Sequence, residues 1–250
     1  MTSMKSPYLL GAAALTVALS ACNGDRTQQG TAPSGSIEKV APPEGGQWSD
    51  VVTQTQEGGF LMGNPQAGVK VVEFISMTCP ACANFEETGT KPLIDNYVQT
   101  GQVSYEVRNF VRDSADLAAS LVARCGGPER FFPLTSALFS DQRNWLGRAQ
   151  EVFTAQRQQE IAGLPPGQQA LEVARTLGFQ QWAAQRGVPT ARSTQCLTDE
   201  AEINRLVQMN SDAVSQHRVP GTPAFLINGR LAEASTWETL EPKIREAVGG

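Results

Sequence analysis

Residues 69–82 have the sequence Val-Lys-Val-Val-Glu-Phe-Ile-Ser-Met-Thr-Cys-Pro-Ala-Cys. The first half is apolar and rich in β-branched residues, which predicts a buried strand. Cys79 and Cys82 follow where a helix is expected to begin, and one helical turn brings cysteines at this spacing close enough for a disulfide. Because a helix N-terminus favours a thiolate, Cys79 is predicted to be the exposed, reactive sulfur and Cys82 its shielded partner.

The cysteine pair has two other interpretations. A CxxC pair can form a structural disulfide, or it can supply half of a zinc site together with Cys125 and Cys196. Structural zinc sites usually repeat the close pair, whereas Cys125 and Cys196 stand alone in the sequence. The position of the CxxC pair directly after a buried strand favours redox chemistry.

The sequence downstream of the pair predicts a second strand and then a helical block. The helix after Cys79 is expected to be interrupted near Gly89 and Pro92. Residues 103–111 are predicted to form a strand parallel to the first, because a helix separates the two. Residues 114–217 have helical periodicity and no clear strand, which predicts a helical insertion.

The C-terminal part predicts a hairpin and a last helix. Residues 224–227 are expected to form a strand, and Asn228-Gly229 favours the tight turn of a hairpin. A final helix is expected to be capped by Ser235 and to reach about Val248. The predicted order of elements is therefore βαβ, helices, ββα.

The composition excludes several functions. The chain has 250 residues and a formal net charge of −5, which offers no basic surface field for nucleic acid. It contains five cysteines and one histidine, His217, so multi-histidine metal sites are excluded and a catalytic triad would depend on that residue. We therefore expect the chemistry of this chain to use sulfur.

The N-terminal sequence predicts export. Lys5 precedes an uncharged run that ends in small residues, which is the layout of a secretory signal and too short for a membrane span. Leu19-Ser-Ala-Cys22 resembles the lipobox of bacterial lipoproteins, so we expect residues 1–21 to be removed and Cys22 to carry lipid. The alternative is an ordinary signal peptide cut nearby, with Cys22 as a spare thiol. Residues 22–47 are poor in large apolar side chains and are predicted to form a flexible tether.

Two segments of the chain resemble the DsbA-type thiol:disulfide oxidoreductases of the thioredoxin fold. Residues 72–87, which contain Cys-Pro-Ala-Cys, are similar to the active-site segment of that family. Residues 219–229, Val-Pro-Gly-Thr-Pro-Ala-Phe-Leu-Ile-Asn-Gly, are similar to its cis-proline loop and the strand that follows. The resemblance implies an α/β thioredoxin fold with its core in residues 48–113 and 218–250 and a helical domain inserted as residues 114–217.

The resemblance also implies roles for residues outside the cysteine pair. Thr222-Pro223 would be a cis peptide that faces the cysteines, where the backbone of Thr222 pairs with a substrate chain. Pro220 is the alternative position for the cis bond. Glu73 would be the buried acid beneath the pair, with a raised pKa that lets it exchange protons with Cys82. The alternative places Glu73 at a strand edge in solvent.

The implied function is disulfide transfer to exported proteins in the periplasm, with no cofactor besides the cysteine pair. Reoxidation would need a membrane quinone-linked partner, by analogy with the family. The oxidising prototype has a histidine inside the motif where this chain has Ala81, so a less acidic Cys79 and a milder oxidant are expected. A threonine before the cis-proline also occurs in disulfide isomerases of the wider family. A reductase or isomerase is therefore one alternative, and a copper metallochaperone that binds through Cys79 and Cys82 is another.

The other cysteines are expected to be structural. With Cys22 carrying lipid, four cysteines remain, an even number that suits an oxidising compartment. A Cys125–Cys196 disulfide would close a loop of about 70 residues and stabilise the fold by roughly 4 kcal/mol in the chain-entropy account. The alternative is a relay that exchanges electrons with the CxxC pair.

Three further features have a functional and an ordinary interpretation. His217 precedes the cis-proline loop and is either a tuning residue or a surface or hydrogen-bonded histidine. Residues 131–134 and Trp145 either line a peptide-binding groove or pack in the core of the helical domain. Glu86 and Glu87 either weaken the thiolate of Cys79 or are solvated helix charges.

Overall fold

A six-stranded sheet forms the centre of the computed structural model, which describes residues 36–249. The strands are β1 (Val52–Gln54), β2 (Phe60–Gly63), β3 (Val69–Ile75), β4 (Val103–Asn109), β5 (Ala224–Ile227) and β6 (Arg230–Ala232). Their order across the sheet is β1-β2-β4-β3-β5-β6. β3 is central, parallel to β4 and antiparallel to β5. Because both faces of β3 are covered, its sequence is apolar almost throughout, and only Lys70 is exposed.

The helix that follows β3 changes type instead of breaking. α1 (Pro80–Phe85) begins with a proline, which suits the first helical position because no amide proton is needed there. A five-residue π-helical turn, Glu86–Thr90, connects α1 to α2 (Lys91–Asn96). The predicted interruption is thus a continuous helical path, and Gly89 lies so close to the Phe85 ring that an added Cβ would approach it to 2.6 Å.

Eight helices lie between β4 and β5. They are α3 (Ser114–Arg124), α4 (Pro128–Ser140), α5 (Gln142–Val152), α6 (Ala155–Ala162), α7 (Pro166–Thr176), α8 (Phe179–Ala184), α9 (Thr190–Leu197) and α10 (Glu200–Ser215). A last helix, α11 (Trp237–Val248), follows β6. Its N-cap is Thr236 and not Ser235, because Thr236 is extended and forms a capping box with Thr239.

The predicted fold class is confirmed: a βαβ half, a helical block and a ββα half share one sheet. The hairpin turn also follows the sequence, since Asn228 and Gly229 both have positive φ, at 51° and 79°. The sequence analysis missed β1 and β2. These strands are only three and four residues long, and the Gly58-Gly59 turn between them was the available signal.

The folded part begins earlier than the predicted boundary between residues 47 and 48. The Ile37 amide donates to the Val248 carbonyl at 3.0 Å, and the Val40 amide donates to the Thr100 carbonyl at 2.9 Å. The Trp48 indole donates to the Val40 carbonyl at 2.8 Å. Residues 37–47 therefore lie against the domain, which corrects this part of the predicted tether.

The predicted signal peptide, Cys22 and the tether up to residue 35 lie outside the described residues. Within residues 36–249, no helix combines the length and the apolar character that crossing a membrane requires.

Candidate active site

Cys79 and Cys82 lie at the N-terminus of α1, with Cys79 as the residue that precedes the helix. Both are free thiols, and both are buried, with 4% and 1% of their surface exposed. The prediction that Cys79 is exposed is wrong. The cis-proline loop packs against it, and the Cys79 Sγ donates a hydrogen bond to the Thr222 carbonyl oxygen at 3.1 Å.

The surroundings of the pair favour a thiolate on one sulfur only. The pKa of Cys79 is lowered to about 5, first by a hydrogen bond from the Cys82 thiol and then by the Thr222 side chain and the amides of Cys82 and Ala81, all against the opposing effect of burial. Burial and the hydrogen bond to Cys79 raise the pKa of Cys82, which keeps that thiol protonated. The arrangement gives one nucleophilic sulfur and one protonated partner.

The cis peptide bond lies between Thr222 and Pro223, and the bond before Pro220 is not cis. Besides its carbonyl, Thr222 offers a buried hydroxyl that has no hydrogen-bond partner among the described residues. The carbonyl accepts from the protonated Cys79 thiol, whereas the hydroxyl can donate to the thiolate. Thr222 thus has a suitable group for each protonation state of Cys79.

Glu73 lies beneath the pair on β3 and is 2% exposed. The alternative at a solvent-exposed strand edge is excluded, because β3 is paired on both sides at this residue, with Val107 and with Phe225. Burial raises the pKa of Glu73 to about 8, although the Tyr105 hydroxyl donates a hydrogen bond to its Oε2 and opposes that rise. The negative charge of Glu73 also raises the pKa of Cys82, so the two groups interact.

Asp116 in the helical insertion, and Asp113 just before it, hold the loop that precedes Cys79. Asp116, fully buried on α3, accepts hydrogen bonds from the Ser76 hydroxyl at 2.5 Å and from the Met77 amide at 2.8 Å. Burial raises the pKa of Asp116 to about 6, and these hydrogen bonds limit the rise. Asp113, the N-cap of α3, accepts from the Thr78 hydroxyl at 2.8 Å.

Gln142, the first residue of α5, completes this support. Its side-chain amide donates to the carbonyl oxygens of Met77 at 2.8 Å and of Cys79 at 3.0 Å. The sequence analysis missed Gln142 and Asp116. Both are far from the cysteine pair along the chain, and no local motif marks them.

Cys125 and Cys196 form a disulfide, with an S–S distance of 2.05 Å. Since they bond to each other, they are not available for a zinc site with the CxxC pair. Within residues 36–249, no group of three or more His, Cys, Asp or Glu side chains is arranged to hold a metal ion.

His217 lies away from the reactive pair. Its ring packs against Phe74, with the ring centroids 6.0 Å apart. Phe74 follows Glu73 on β3, and successive side chains of a strand point to opposite faces, so His217 lies on the other face of the sheet from the buried acid. This position gives no support to a tuning role.

The aromatic residues of the helical block divide between core and cavity. Phe131 and Trp145 are buried, at 0% and 1% exposure, and pack on Phe60 and Phe179. Phe132 instead lines a cavity of about 440 Å³ that reaches Cys82 and Glu73. Glu86 lines the same cavity, and its charge raises the pKa of Glu73.

Comparisons with known proteins agree with this geometry. Residues 55–246 match the model of a family described as Thioredoxin. The structure of a protein-disulfide isomerase from Novosphingobium aromaticivorans is 36% identical with a TM-score of 0.71, over 76% of this chain and 97% of that one. Wolbachia pipientis alpha-DsbA1 shares the fold, with 20% identity, a TM-score of 0.60 and coverage of 76% and 90%.

A curated relative from Rickettsia prowazekii is 24% identical over 201 residues. Its name describes it as a proposed protein-disulfide oxidoreductase. The match covers 79% of this chain and 64% of the relative, so the chain spans less than two thirds of that protein's length.

Proposed function

Because the chain belongs to the thioredoxin family and has the helical insertion of its DsbA-type members, we propose that it is a protein thiol:disulfide oxidoreductase that acts through Cys79 and Cys82. The observation that carries the proposal is the division between the two sulfurs. Hydrogen bonds lower the pKa of Cys79 to about 5, while Cys82 stays protonated and lines the same cavity as the buried acid Glu73.

The reaction is a transfer of one disulfide. A substrate thiolate attacks the Cys79 Sγ of the oxidised pair, the Cys79–Cys82 bond breaks, and its electron pair stays on Cys82, which takes a proton from Glu73. A second substrate thiolate then attacks the first substrate sulfur. Cys79 leaves as a thiolate, the substrate gains a disulfide, and the enzyme pair is left reduced.

Substrate proteins have room on both sides of Pro80, the exposed residue next to Cys79. One open groove lies between α1 and α5 and includes Ala83 and Arg143. A second groove includes Arg112 and Phe153. The two grooves share Pro80 and Leu146, so an extended substrate segment can lie beside Pro80, the residue that follows Cys79.

The direction proposed is oxidation, because a stabilised thiolate makes the reduced enzyme the favoured product. Isomerisation is the second candidate, and Thr222 before Pro223 is the observation that favours it. The similar structure from Novosphingobium aromaticivorans is also named as a protein-disulfide isomerase. Copper binding has less support, since His217 packs against Phe74 instead of approaching the cysteines.

The proposed location is the periplasm, with the domain held at a membrane by lipid on Cys22 and reoxidised by a membrane quinone-linked partner. The N-terminal signal supports this proposal, as does the presence of a Cys125–Cys196 disulfide, which belongs to oxidising compartments. A Cys22→Ser variant is expected to leave the membrane fraction while it retains activity in vitro.

Oxidation of a reduced two-cysteine peptide by the oxidised protein tests the function. Wild type is expected to form one peptide disulfide for each enzyme disulfide consumed, and Cys79→Ser is expected to form none. Given the disulfide form of the same peptide instead, Cys82→Ser should accumulate a mixed disulfide, because the Cys79 thiolate attacks the peptide disulfide and no second enzyme thiol resolves the product. A Cys125→Ala/Cys196→Ala double variant is the matched control, because it removes two cysteines and leaves the pair intact.

Two results would reject the proposal. One is peptide oxidation by Cys79→Ser at the wild-type rate. The other is a wild-type protein that neither oxidises the peptide nor reactivates a protein with scrambled disulfides. Reactivation faster than oxidation would instead support the isomerase candidate.

A further inference from the structure

The cavity that reaches Cys82 and Glu73 has a volume of about 440 Å³. Cavities of roughly 300–1,000 Å³ are the usual binding sites for small molecules. Strands β1 to β4, the helical path from α1 to α2, and α4 all contribute residues to its wall. The cavity is therefore built by the thioredoxin core and the helical insertion together.

Apolar side chains form much of this wall, including Met62, Ile75, Ile94, Val107, Phe132 and Phe139. The rings of Phe132 and Tyr105 lie side by side, with their centroids 5.8 Å apart. An aliphatic or aromatic body that enters the cavity removes apolar surface from water, which favours binding. The wall therefore suits a ligand whose largest part is apolar.

The negative charges of the cavity lie at its solvent-facing part. Asp50 and Glu129 line it and are exposed, and Glu86 lines it and is half-buried. At the inner end, burial raises the pKa of Glu73 to about 8, so that carboxyl is mostly protonated at neutral pH. The charge of the cavity is thus concentrated on three carboxylates at its rim.

No cation of the described structure neutralises these rim carboxylates. Within residues 36–249, none of the three takes part in an ion pair. The described residues that line the cavity also include no Lys, Arg or His. A cationic group at the rim would therefore meet attraction only, whereas an anionic group would meet repulsion from all three carboxylates.

A buried hydroxyl in the wall gives a second, independent indication of a ligand. Thr135 on α4 is 4% exposed, and its hydroxyl has no hydrogen-bond partner among the described residues. In the part of the chain that the structure describes, Thr222 at the cysteine pair has the other buried side-chain group of this kind. Because buried polar groups are usually hydrogen-bonded, such groups mark places where another molecule is received.

From the apolar wall, the rim charges and this hydroxyl, we infer that the cavity is a binding site for a small organic cation. The ligand has an aromatic or aliphatic body and one ammonium group. Its body packs between Phe132 and the sheet, and its ammonium group lies among the carboxylates of Asp50, Glu86 and Glu129. The Thr135 hydroxyl is available to accept a hydrogen bond from the ligand.

Three probe molecules with the same apolar body test the preference for a cation. They are 4-phenylbutylamine, 4-phenylbutan-1-ol and 4-phenylbutyrate, which are cationic, neutral and anionic at pH 7. Calorimetric titration of the reduced protein is expected to give one site, with binding of the amine about tenfold tighter than that of the alcohol. The carboxylate is expected to bind more weakly than the alcohol.

The position of the bound amine is measured by nuclear magnetic resonance of ¹³C-labelled methionine methyl groups. Met62 lines the cavity, whereas Met209 is buried on α10, beside Gly58, and does not line it. Binding is expected to shift the Met62 methyl signal and to leave the Met209 signal in place. The two methionines are a matched pair, because both are buried, at 6% and 4% exposure.

Two double variants test the contribution of the rim. Asp50→Asn/Glu129→Gln removes two exposed charges of the cavity and is expected to weaken binding of the amine about fivefold, while binding of the alcohol stays unchanged. Glu87→Gln/Glu151→Gln is the control, because it removes two exposed carboxylates that do not line the cavity. This control is expected to bind the amine as wild type does.

Several results would overturn the inference. They are equal affinities for the amine and the alcohol, an unshifted Met62 signal at saturating amine, and amine binding that weakens as much in the control as in the rim variant. Since the titration contains neither substrate nor oxidant, its outcome does not depend on the proposed disulfide exchange. A protein that binds the amine but fails to oxidise the two-cysteine peptide would count against the proposed function alone.

Discussion

The side-chain amide of Gln142 donates a hydrogen bond to the backbone carbonyl oxygen of Cys79 at 3.0 Å. The donor belongs to the helical insertion, and the acceptor is the peptide group at which α1 begins. Because the same amide also holds the Met77 carbonyl, it fixes the loop that leads into α1, the helix whose Ala81 and Cys82 amides reach the Cys79 sulfur. Gln142 is 3% exposed, so water does not easily replace it.

Gln142→Ala is expected to raise the pKa of Cys79 by roughly one unit, because the loop loses its support and the amides of α1 align less well with the thiolate. Thiolate absorbance at 240 nm as a function of pH measures the shift. Gln180→Ala is the control, since Gln180 is also a buried glutamine of the helical block but donates to Thr190 and Thr194. Equal pKa values of Cys79 in Gln142→Ala and wild type would contradict this role.

Asp116→Asn is expected to lower the free energy of unfolding by about 2–4 kcal/mol. Four donors converge on the carboxylate, from the Ser76 and Ser120 hydroxyls and the Met77 and Arg112 amides, and a side-chain amide would direct its own N–H groups at some of them. Urea unfolding measures the loss. Ser120→Ala removes only one of these bonds and should cost less than about 1 kcal/mol, so equal losses in the two variants would refute the argument.

Glu73→Gln is expected to change how stability depends on pH. The folded pKa of Glu73 is about 8 and its ordinary value is 4.5, so between these values the folded state binds the proton that the unfolded state has lost. The contribution of Glu73 is therefore complete below pH 4.5 and is lost as pH rises toward 8, with a slope of at most about 1.4 kcal/mol per pH unit.

The measurement is the free energy of unfolding of the reduced protein from pH 4 to pH 9. Glu73→Gln lacks this titration, so its stability relative to wild type should increase across the window and become constant above pH 8. Glu87→Gln, which changes an exposed carboxylate, is the control. A difference between Glu73→Gln and wild type that does not vary with pH would show that Glu73 is not a buried neutral acid.

The Cys79 thiolate is expected to titrate near pH 5 and to give the pair an intermediate reduction potential. Low cysteine pKa values accompany oxidising pairs. The pKa of the reactive cysteine is about 7 in thioredoxin and about 3.5 in DsbA, the strongly oxidising prototype. We therefore expect a potential between about −270 and −120 mV, measured against glutathione. Ala81→His should lower the pKa and raise the potential. A wild-type potential at the thioredoxin end would contradict the role as an oxidant.

The Cys125→Ala/Cys196→Ala double variant is expected to lose about 4 kcal/mol of stability at most, because the disulfide joins residues separated by 71 positions. Its rate of peptide oxidation should equal that of wild type at temperatures where it stays folded. Thermal unfolding and the peptide assay measure the two effects. Loss of activity without loss of structure would favour the electron relay between the two cysteine pairs.

The sequence predicted the parts of the site that depend on local order. Recognising a buried strand followed by CxxC at a helix start requires only neighbouring residues. Glu73 is buried because it belongs to that strand. The cis-proline position came from the family resemblance and not from periodicity. In contrast, Asp116, Gln142 and Tyr105 act through tertiary contacts, which no pattern in one sequence records.

Among the predictions about the cysteine pair, the exposure of Cys79 failed, for a related reason. A helix N-terminus alone leaves its first side chain open to solvent. Here the loop at Thr222, far along the chain, covers the sulfur. The missed strands β1 and β2 are too short to show an alternation of apolar and polar residues. The π-helical turn replaces a predicted break because a proline near a helix start is compatible with continued helical dihedrals.

The hydrogen bonds from Asp116 and Gln142 to the catalytic loop also bear on how this protein can be divided. A redox domain made by joining residue 113 directly to residue 218 would keep both cysteines, the buried acid and the cis-proline loop. It would lack every bond that the insertion makes to residues 76–79. The loop that carries Cys79 is therefore held jointly by two segments that the chain separates, and shortening the insertion removes the hydrogen bonds that hold this loop.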